Sequence, residues 1–360
     1  VKWNYLQRNR SVQLKIKQTQ KGNPFKMPIK IRIDEKEHEV WVEEKDFIIE
    51  IPVLKRPEMV VFNSGSLVLS ELTFHKQISE WILQLENSPH VLDRISAIDV
   101  LKDKKGRRVV ELALLKAAES DSFWGVRREA VYALAAHKSK KYAKELMSIS
   151  YGQDNRVRRA IWFALRNYEK DEQVSTFLQE VIDTDKKYYS VSDAFKALVI
   201  VDSSAAKIKV EDLLEIDSHT DVIRRSAISY FGSVKNDRNY NRLKKLVSYG
   251  GTTWDARPEA INQLAKYAKE KTKTLDLFVE LLGDNTRSVR RNAVRQIGRF
   301  GSKNHLDALD ELLVKDPILE RDIRFAKKNI LKPSTELKID QGKEIEELTK
   351  KLDNIRKLLN

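Results

Sequence analysis

The chain has 360 residues, of which 41% are hydrophobic and 33% charged, a composition typical of a folded, helix-rich protein. No apolar run approaches the roughly 18 residues that a membrane-spanning helix needs, and the absence of cysteine excludes disulfides, thiolate metal ligands and a cysteine nucleophile. The net charge of +14 permits attraction to nucleic acid or acidic surfaces. Because lysine and glutamate are interspersed, the same charge also fits an ordinary lysine-rich surface.

The first 74 residues predict short antiparallel strands. Apolar and polar residues alternate there, as they do in strands with one buried face. Turn-forming residues separate the strands, for example at 21–24. The alternating segments are 12–16, 25–33, 40–42, 47–51 and 59–62. Several such strands favour an antiparallel β-sandwich, which we place at residues 1–74.

One sequence phrase recurs over residues 75–333. Its clearest copy is 284–298, where Asp284 precedes a Val-Arg-Arg sequence and Ala293 follows at helical spacing. The central alanines of the copies are separated by 33, 30, 34, 33, 33, 33 and 33 residues. They are Ala97, Ala130, Ala160, Ala194, Ala227, Ala260, Ala293 and Ala326. A fixed period of this length predicts an α-α superhelix of about eight two-helix repeats, so the fold class is an α+β multidomain protein.

Two consecutive arginines in the phrase are the candidate functional residues. The candidates are Arg127, Arg128, Arg158, Arg159, Arg224, Arg225, Arg290 and Arg291, and Arg94 and Arg324 extend the series. The first arginines, stacked along one surface, would suit a phosphate backbone. Alternatively, each would pair with an aspartate of its own or the next repeat and fix the stacking. The second interpretation is favoured because aspartate and arginine recur together. The second arginine of each pair points about 100° away and is the better candidate for contact with solvent or ligand.

Three tryptophans near the starts of inner helices, Trp124, Trp162 and Trp254, complete the candidate set. They would either line a groove for a peptide or base or pack between repeats, and packing is the more ordinary role. At the end of the chain, residues 334–360 predict a linker and an amphipathic helix with apolar residues at alternating spacings of three and four. That helix would cap the repeats or pack on a neighbouring chain.

Segments 12–20, 24–29 and 61–69 resemble one domain of the aminopeptidase N family of zinc metallopeptidases, and the third contains Asn63-Ser64-Gly65. In that family a small β-sandwich follows a thermolysin-like catalytic domain and precedes a helical domain. The helical phrase resembles the short HEAT repeats of phycobilin-lyase-like proteins. Together the resemblances imply that Val1 lies inside a longer polypeptide. They also imply that this part closes over the active site of an upstream catalytic domain and gates peptide access.

The zinc motif of the family is absent from this sequence. That motif is His-Glu-x-x-His, which places two zinc ligands on one helix face. His38-Glu39 begins like it, but position 42 is valine and the stretch has strand pattern. The Gly-x-Met-Glu-Asn motif that binds the substrate amine is also missing. We therefore assign no catalytic or metal-binding residue and no cofactor to this chain, and we expect zinc in the upstream domain.

Three functions remain at this stage. The first is the non-catalytic gating part of a zinc aminopeptidase, with its own catalytic domain and a peptide as partners. The second is a HEAT-repeat scaffold that binds protein on its concave face without peptidase activity, as in a transcription-factor subunit that shares the aminopeptidase scaffold. The third is a nucleic-acid-binding solenoid. We expect no membrane partner and a cytoplasmic location.

Overall fold

The computed structural model describes residues 1–270 and 273–332, so the amphipathic helix predicted within 334–360 lies outside the described residues. The described part has six strands followed by sixteen α-helices. This confirms the predicted α+β layout with a helical solenoid. The chain divides into two compact units, Val1–Ile208 and a second that begins at Lys209. The boundary at residue 74 stays a prediction.

Six antiparallel strands begin the first unit. They form two three-stranded sheets, with the strand orders β1-β2-β5 and β4-β3-β6. The strands are β1 (Lys2–Leu6), β2 (Ser11–Lys17), β3 (Met27–Ile33), β4 (Lys36–Val42), β5 (Asp46–Pro52) and β6 (Val60–Phe62). The alternating apolar residues of these strands point into the interior, since Val12, Leu14 and Ile31 have no exposed surface. In the first sheet Val12 lies opposite the buried Ile51.

The helices follow as pairs, and each even-numbered helix carries one of the central alanines. The helices are α1 (Ile78–Asn87), α2 (Val91–Leu101), α3 (Arg108–Ser120), α4 (Trp124–His137), α5 (Ala143–Ile149), α6 (Asn155–Leu165), α7 (Glu172–Thr184), α8 (Tyr188–Val201), α9 (Ser203–Glu215), α10 (Val222–Ser233), α11 (Asp237–Val247), α12 (Arg257–Leu264), α13 (Lys273–Glu280), α14 (Arg287–Phe300), α15 (Leu306–Lys315) and α16 (Glu320–Ile330). All eight alanines are at most 2% exposed. A small side chain at this position lets neighbouring helices approach closely. Between α14 and α16, a Cβ atom added at Gly298 would lie only 2.7 Å from the Cβ of Ala326.

The Asn63-Ser64-Gly65 motif joins the second sheet to the first helical repeat. The Ser64 hydroxyl and the Gly65 N–H donate to the carboxylate of Asp93 in α2, over 3.0 and 2.8 Å. The Asn63 side chain closes the loop by donating to the Val68 carbonyl over 2.7 Å. These residues, which carry part of the family resemblance, therefore have a structural role here.

Lys76 lies at the same junction. Its Nζ donates to the Val60 carbonyl of β6 over 2.8 Å and to the Gln84 side chain of α1. The Nζ also lies 4.1 Å from the ring centroid of Trp81. Burial lowers the pKa of Lys76 to about 7. The charge at this junction therefore changes close to neutral pH.

Candidate functional site

The first arginine of the repeated phrase holds two loops together. In α2, the Arg94 guanidinium donates to the Ser88 carbonyl over 2.9 Å, in the loop that precedes its own helix. It also donates to the Asp121 carboxylate of the next repeat over 2.8 and 3.1 Å. Both charged side chains are 8% exposed. A buried pair with this many hydrogen bonds fixes the spacing of adjacent repeats.

The same clamp recurs in the first unit with small variations. Arg127 donates to the Asp121 carbonyl over 2.6 Å, and its next-repeat partner is the Gln153 amide at 2.8 Å. Arg158 donates to the Asp185 carboxylate over 2.6 Å. The predicted arginines therefore contact neighbouring loops and repeats here, and each has at least one hydrogen-bond acceptor.

In the second unit, Arg290 donates to the Asp284 carbonyl and to the Asp316 carboxylate, each over 2.6 Å. The hydrogen bond from Arg290 lowers the pKa of Asp316 below its usual range. Arg224 departs from the pattern, because its carboxylate partners, Asp217 and Asp221, precede it in the chain.

Sequence reasoning missed one member of this clamp. Arg257 is 2% exposed and donates to the Val247 carbonyl over 2.8 Å and to the Asp284 carboxylate over 3.2 Å. Its signal was available, since Arg257 stands three residues before the central Ala260, as Arg94 does before Ala97.

Asp284 and Arg324 show how the phrase varies, and Arg324 corrects an expectation from the sequence. The N-cap of α14 is Thr286, and Asp284 accepts from its N–H over 2.8 Å. The Asp284 carboxylate mainly receives Arg257 of the preceding repeat. Arg324 is not equivalent to the other arginines, because it pairs with Glu320 in its own helix and the place three before Ala326 holds the buried Ile323.

The second arginines are 36 to 46% exposed, and each has an acidic neighbour. Three of these neighbours belong to the following repeat. The pairs are Arg128–Glu129 at 2.5 Å, Arg159–Asp193 at 2.6 Å, Arg225–Glu259 at 3.9 Å and Arg291–Asp322 at 3.1 Å. Each second arginine therefore presents a mixed charge to solvent rather than an isolated cation.

The three tryptophans have different surroundings. Trp124 is half-buried, and its ring lies 3.3 Å from the guanidinium carbon of Arg156. Trp162 is fully buried and donates to the Ser190 hydroxyl over 2.8 Å, so it packs inside the repeats. Trp254 belongs to the second unit and is 66% exposed.

The arginine clamp also sets the register of α6. Arg158 stands three residues before Ile161 rather than before Ala160, and Ile161 has no exposed surface. Ile161 therefore takes the central position, and the step from Ala130 is 31 residues rather than 30. This register makes Phe163 the equivalent of Tyr132, since each lies two residues after its central residue.

Tyr132 and Phe163 lie beside each other on exposed surface of α4 and α6. Their ring centroids are 5.6 Å apart in an edge-to-face arrangement, and the side chains are 37% and 47% exposed. The guanidinium carbon of Arg166, just after α6, lies 5.2 Å from the Phe163 ring. Nearby, Arg159 lies 4.9 Å from the ring of Tyr189 in α8. We call Tyr132, Phe163, Arg166, Arg159 and Tyr189 the aromatic face.

The aromatic face combines the side-chain types that dominate binding hot spots. Exposed aromatic rings supply apolar area at low entropic cost, and a guanidinium beside them binds a carboxylate or stacks on a second ring. Neither Tyr132 nor Phe163 was singled out from the sequence. Their common position became visible only after the register of α6 was known.

The described residues form no zinc site. Within 1–270 and 273–332, no three His, Cys, Asp or Glu side chains are placed to hold a metal ion together. His38 lies in β4, and Val42, four residues on, is fully buried. In the same ranges, no helix is both long and apolar enough to cross a bilayer.

Comparison with known proteins adds a family and a fold. The HEAT repeat family matches residues 78–166, 111–198 and 241–326, which together cover more than half of the chain. No curated protein matches in sequence. Among solved structures, Legionella pneumophila aminopeptidase A in complex with aspartic acid is 12% identical with a TM-score of 0.52. The match covers 91% of this chain but only 48% of that one, so the chain spans about half of the aminopeptidase.

Two further structures match over a smaller part of the chain. Human deoxyhypusine hydroxylase is 14% identical with a TM-score of 0.34, over 70% of this chain and 95% of that one. The CpcE–CpcF complex of phycocyanin lyase from Nostoc is 17% identical with a TM-score of 0.38, over 73% of this chain and 98% of that one.

Proposed function

Because the chain belongs to the HEAT repeat family, we propose that its repeats bind peptide or protein. We propose further that it forms the non-catalytic C-terminal part of an aminopeptidase N-like zinc metallopeptidase. In this role it closes over the peptide cavity of a catalytic domain that precedes it. The aromatic face is its contact surface for the peptide or the catalytic domain.

One observation carries this proposal. The likeness to an aminopeptidase covers 91% of the chain, including both the sheets and the helical repeats, at a TM-score of 0.52. At 12% identity that likeness concerns the fold. The family resemblance of segments 12–20, 24–29 and 61–69 supports the same order of domains independently. The zinc ion would be held by residues outside this chain.

The residues encoded before Val1 provide the first test. We expect a His-Glu-x-x-His sequence on a predicted helix, with a further glutamate downstream as the third ligand. A catalytic-like domain that lacks these ligands would contradict peptidase activity and would favour the scaffold function.

The second test uses the whole polypeptide and two substrates. Phe163→Ala should lower the ratio of kcat/KM for a nonapeptide to kcat/KM for a single aminoacyl anilide. The reason is that only the longer substrate extends beyond the cleavage site. Asn262→Ala, at the equivalent position in the second unit, is the matched control and should leave the ratio unchanged. Equal ratios for both variants and the wild type would contradict a role of the aromatic face in gating.

A scaffold without peptidase activity is the second candidate, and the exposed aromatic face supports it equally well. Nucleic-acid binding is less well supported, because most of the repeated arginines already pair with carboxylates or loop carbonyls. Binding to DNA that falls steeply between about 50 and 200 mM salt would revive it. The cytoplasmic location belongs to the same proposal, and cell fractionation tests it.

A further inference from the structure

We infer that Arg166, together with the rings of Tyr132 and Phe163, binds an acidic side chain of a protein partner, next to an apolar side chain of that partner. The inference rests on the proposed binding role of the aromatic face and names the chemistry that the face selects. Its occupant is a peptide segment with an aspartate or glutamate beside a large apolar residue.

Arg166 differs from the clamp arginines because its guanidinium has neither a hydrogen-bond partner nor an ion-pair partner among the described residues. Its Nε is buried and has no hydrogen-bond partner, and its guanidinium forms no ion pair with any described residue. Buried N–H groups are nearly always satisfied, and a charged donor left unpaired is costly. Burial also lowers the pKa of Arg166. An incoming carboxylate would pair with the terminal N–H groups of Arg166, which are not among the buried unpaired atoms, and would offset the desolvation of the guanidinium.

The acidic residues near Arg166 are engaged elsewhere. Asp193 is the carboxylate that most favours the charge of Arg166. That carboxylate, however, accepts from Arg159 over 2.6 Å and from Lys196 over 3.4 Å. Glu129 pairs with Arg128 at 2.5 Å. Because these acidic residues already have cationic partners, the guanidinium of Arg166 is available to pair with a carboxylate of a binding partner.

The charge pattern favours a single carboxylate over a phosphate backbone. A nucleic-acid strand needs several cations spaced along its phosphates. Here the nearby arginines are matched by Asp193 and Glu129, which would repel a polyanion. One unpaired guanidinium in a mixed-charge surface suits one carboxylate.

The rings define what lies beside that carboxylate. Tyr132 and Phe163 stand edge to face with 37% and 47% of their surfaces exposed. An apolar side chain of the partner would cover both rings and shield the ion pair from water, which strengthens the pair. We therefore expect the acidic residue of the partner to be adjacent to an aromatic or aliphatic one.

Fluorescence anisotropy with two labelled peptides tests the inference on the full chain. The probes are acetylated, amidated nonapeptides of glycine and serine with a central Glu-Trp or Gln-Trp pair, so neither has a terminal carboxylate. Wild type should bind the Glu peptide at least about tenfold more tightly, the range expected for a charge-assisted hydrogen bond. Arg166→Gln should abolish this preference, whereas Phe163→Ala should weaken binding of both peptides.

Arg324→Gln, an exposed arginine of the second unit, is the control and should keep the preference. Arg166→Lys, which retains the charge, should keep part of it and guards against a folding defect in Arg166→Gln. Equal binding of the two peptides, or binding of neither, would overturn the inference. The residues encoded before Val1 would still test the proposed function separately. Displacement by oligothymidylate that depends on Arg166 would instead indicate a nucleic-acid site.

Discussion

The two helical units use the same packing and carry different side chains at one exposed position. Two residues after the central residue of the repeat, the first unit has Tyr132 and Phe163, whose rings touch, and its other two repeats have Asp99 and Lys196. The second unit has only polar residues at the equivalent places, namely Ser229, Asn262, Arg295 and Lys328. Asn262 accepts a hydrogen bond from Gln296, and Arg295 donates to Asp322 over 3.1 Å.

This difference separates stability from binding. The buried alanines and the arginine clamp occur in both units, so they account for the stacking of repeats. The aromatic side chains occur at this position only in the first unit. The repeats of the second unit stack without them, so stacking does not require them. We therefore assign stability to the shared residues and recognition to the differing ones.

Removing the clamp should have the largest effect, and should have it in both units. Arg94→Leu and Arg257→Leu each leave a buried aspartate without its cation, which costs about 3–5 kcal/mol. The exposed Arg324→Leu should change the free energy of unfolding by less than about 0.5 kcal/mol. Urea unfolding measures all three. A large loss of stability for Arg257→Leu with none for Arg94→Leu would contradict the claim that the clamp stabilises both units.

Overpacking fully buried alanines should come next. Ala160→Leu and Ala293→Leu add three carbon atoms where the alanines have no exposed surface, and we expect a loss of about 1–3 kcal/mol for each. Thermal unfolding followed by circular dichroism checks both variants. An unchanged Tm for either one would contradict its placement between helices.

The last effect depends on pH and concerns Lys76 in the first unit. Its pKa is about 7 in the folded chain against 10.5 unfolded, so between these values the unfolded state binds more protons. Stability should therefore rise with pH from 7 towards 10, by at most about 1.4 kcal/mol per pH unit. Below pH 7 this contribution becomes constant. Lys76→Met should reduce the rise, which urea unfolding at pH 7 and 9 would reveal, and the part that stays is expected from Lys266, whose pKa burial also lowers. If Lys76→Met shows the same rise of stability with pH as the wild type, the rise does not come from Lys76.

Much of this organisation could be predicted from local pattern. Alternation located the strands because every second residue of a strand is buried. The alanine period located the repeats because each repeat buries a small residue at the same place. The recurrence of aspartate with arginine also suggested pairs such as Arg94 with Asp121, whereas Asp185, the partner of Arg158, is not one of the recurring aspartates.

Contacts between distant residues were not predictable in this way. The position of Arg158 places Ile161 rather than Ala160 at the centre of α6, but the contact between the Tyr132 and Phe163 rings could not be read from the sequence. The burial of Lys76 depends on Val60 and Trp81, which belong to different elements. The sequence did not indicate that Arg166 lacks a partner, because that depends on which residues lie near it in the folded chain.

Photo-cross-linking compares the two units most directly. Benzoylphenylalanine is placed at position 163 or at position 295 in the full polypeptide, in the presence of a labelled Glu-Trp peptide. The account predicts that position 163 forms cross-links to the peptide or to the preceding domain and that position 295 does not. Equal cross-linking from the two positions, or cross-linking from position 295 alone, would contradict the assignment of binding to the aromatic face.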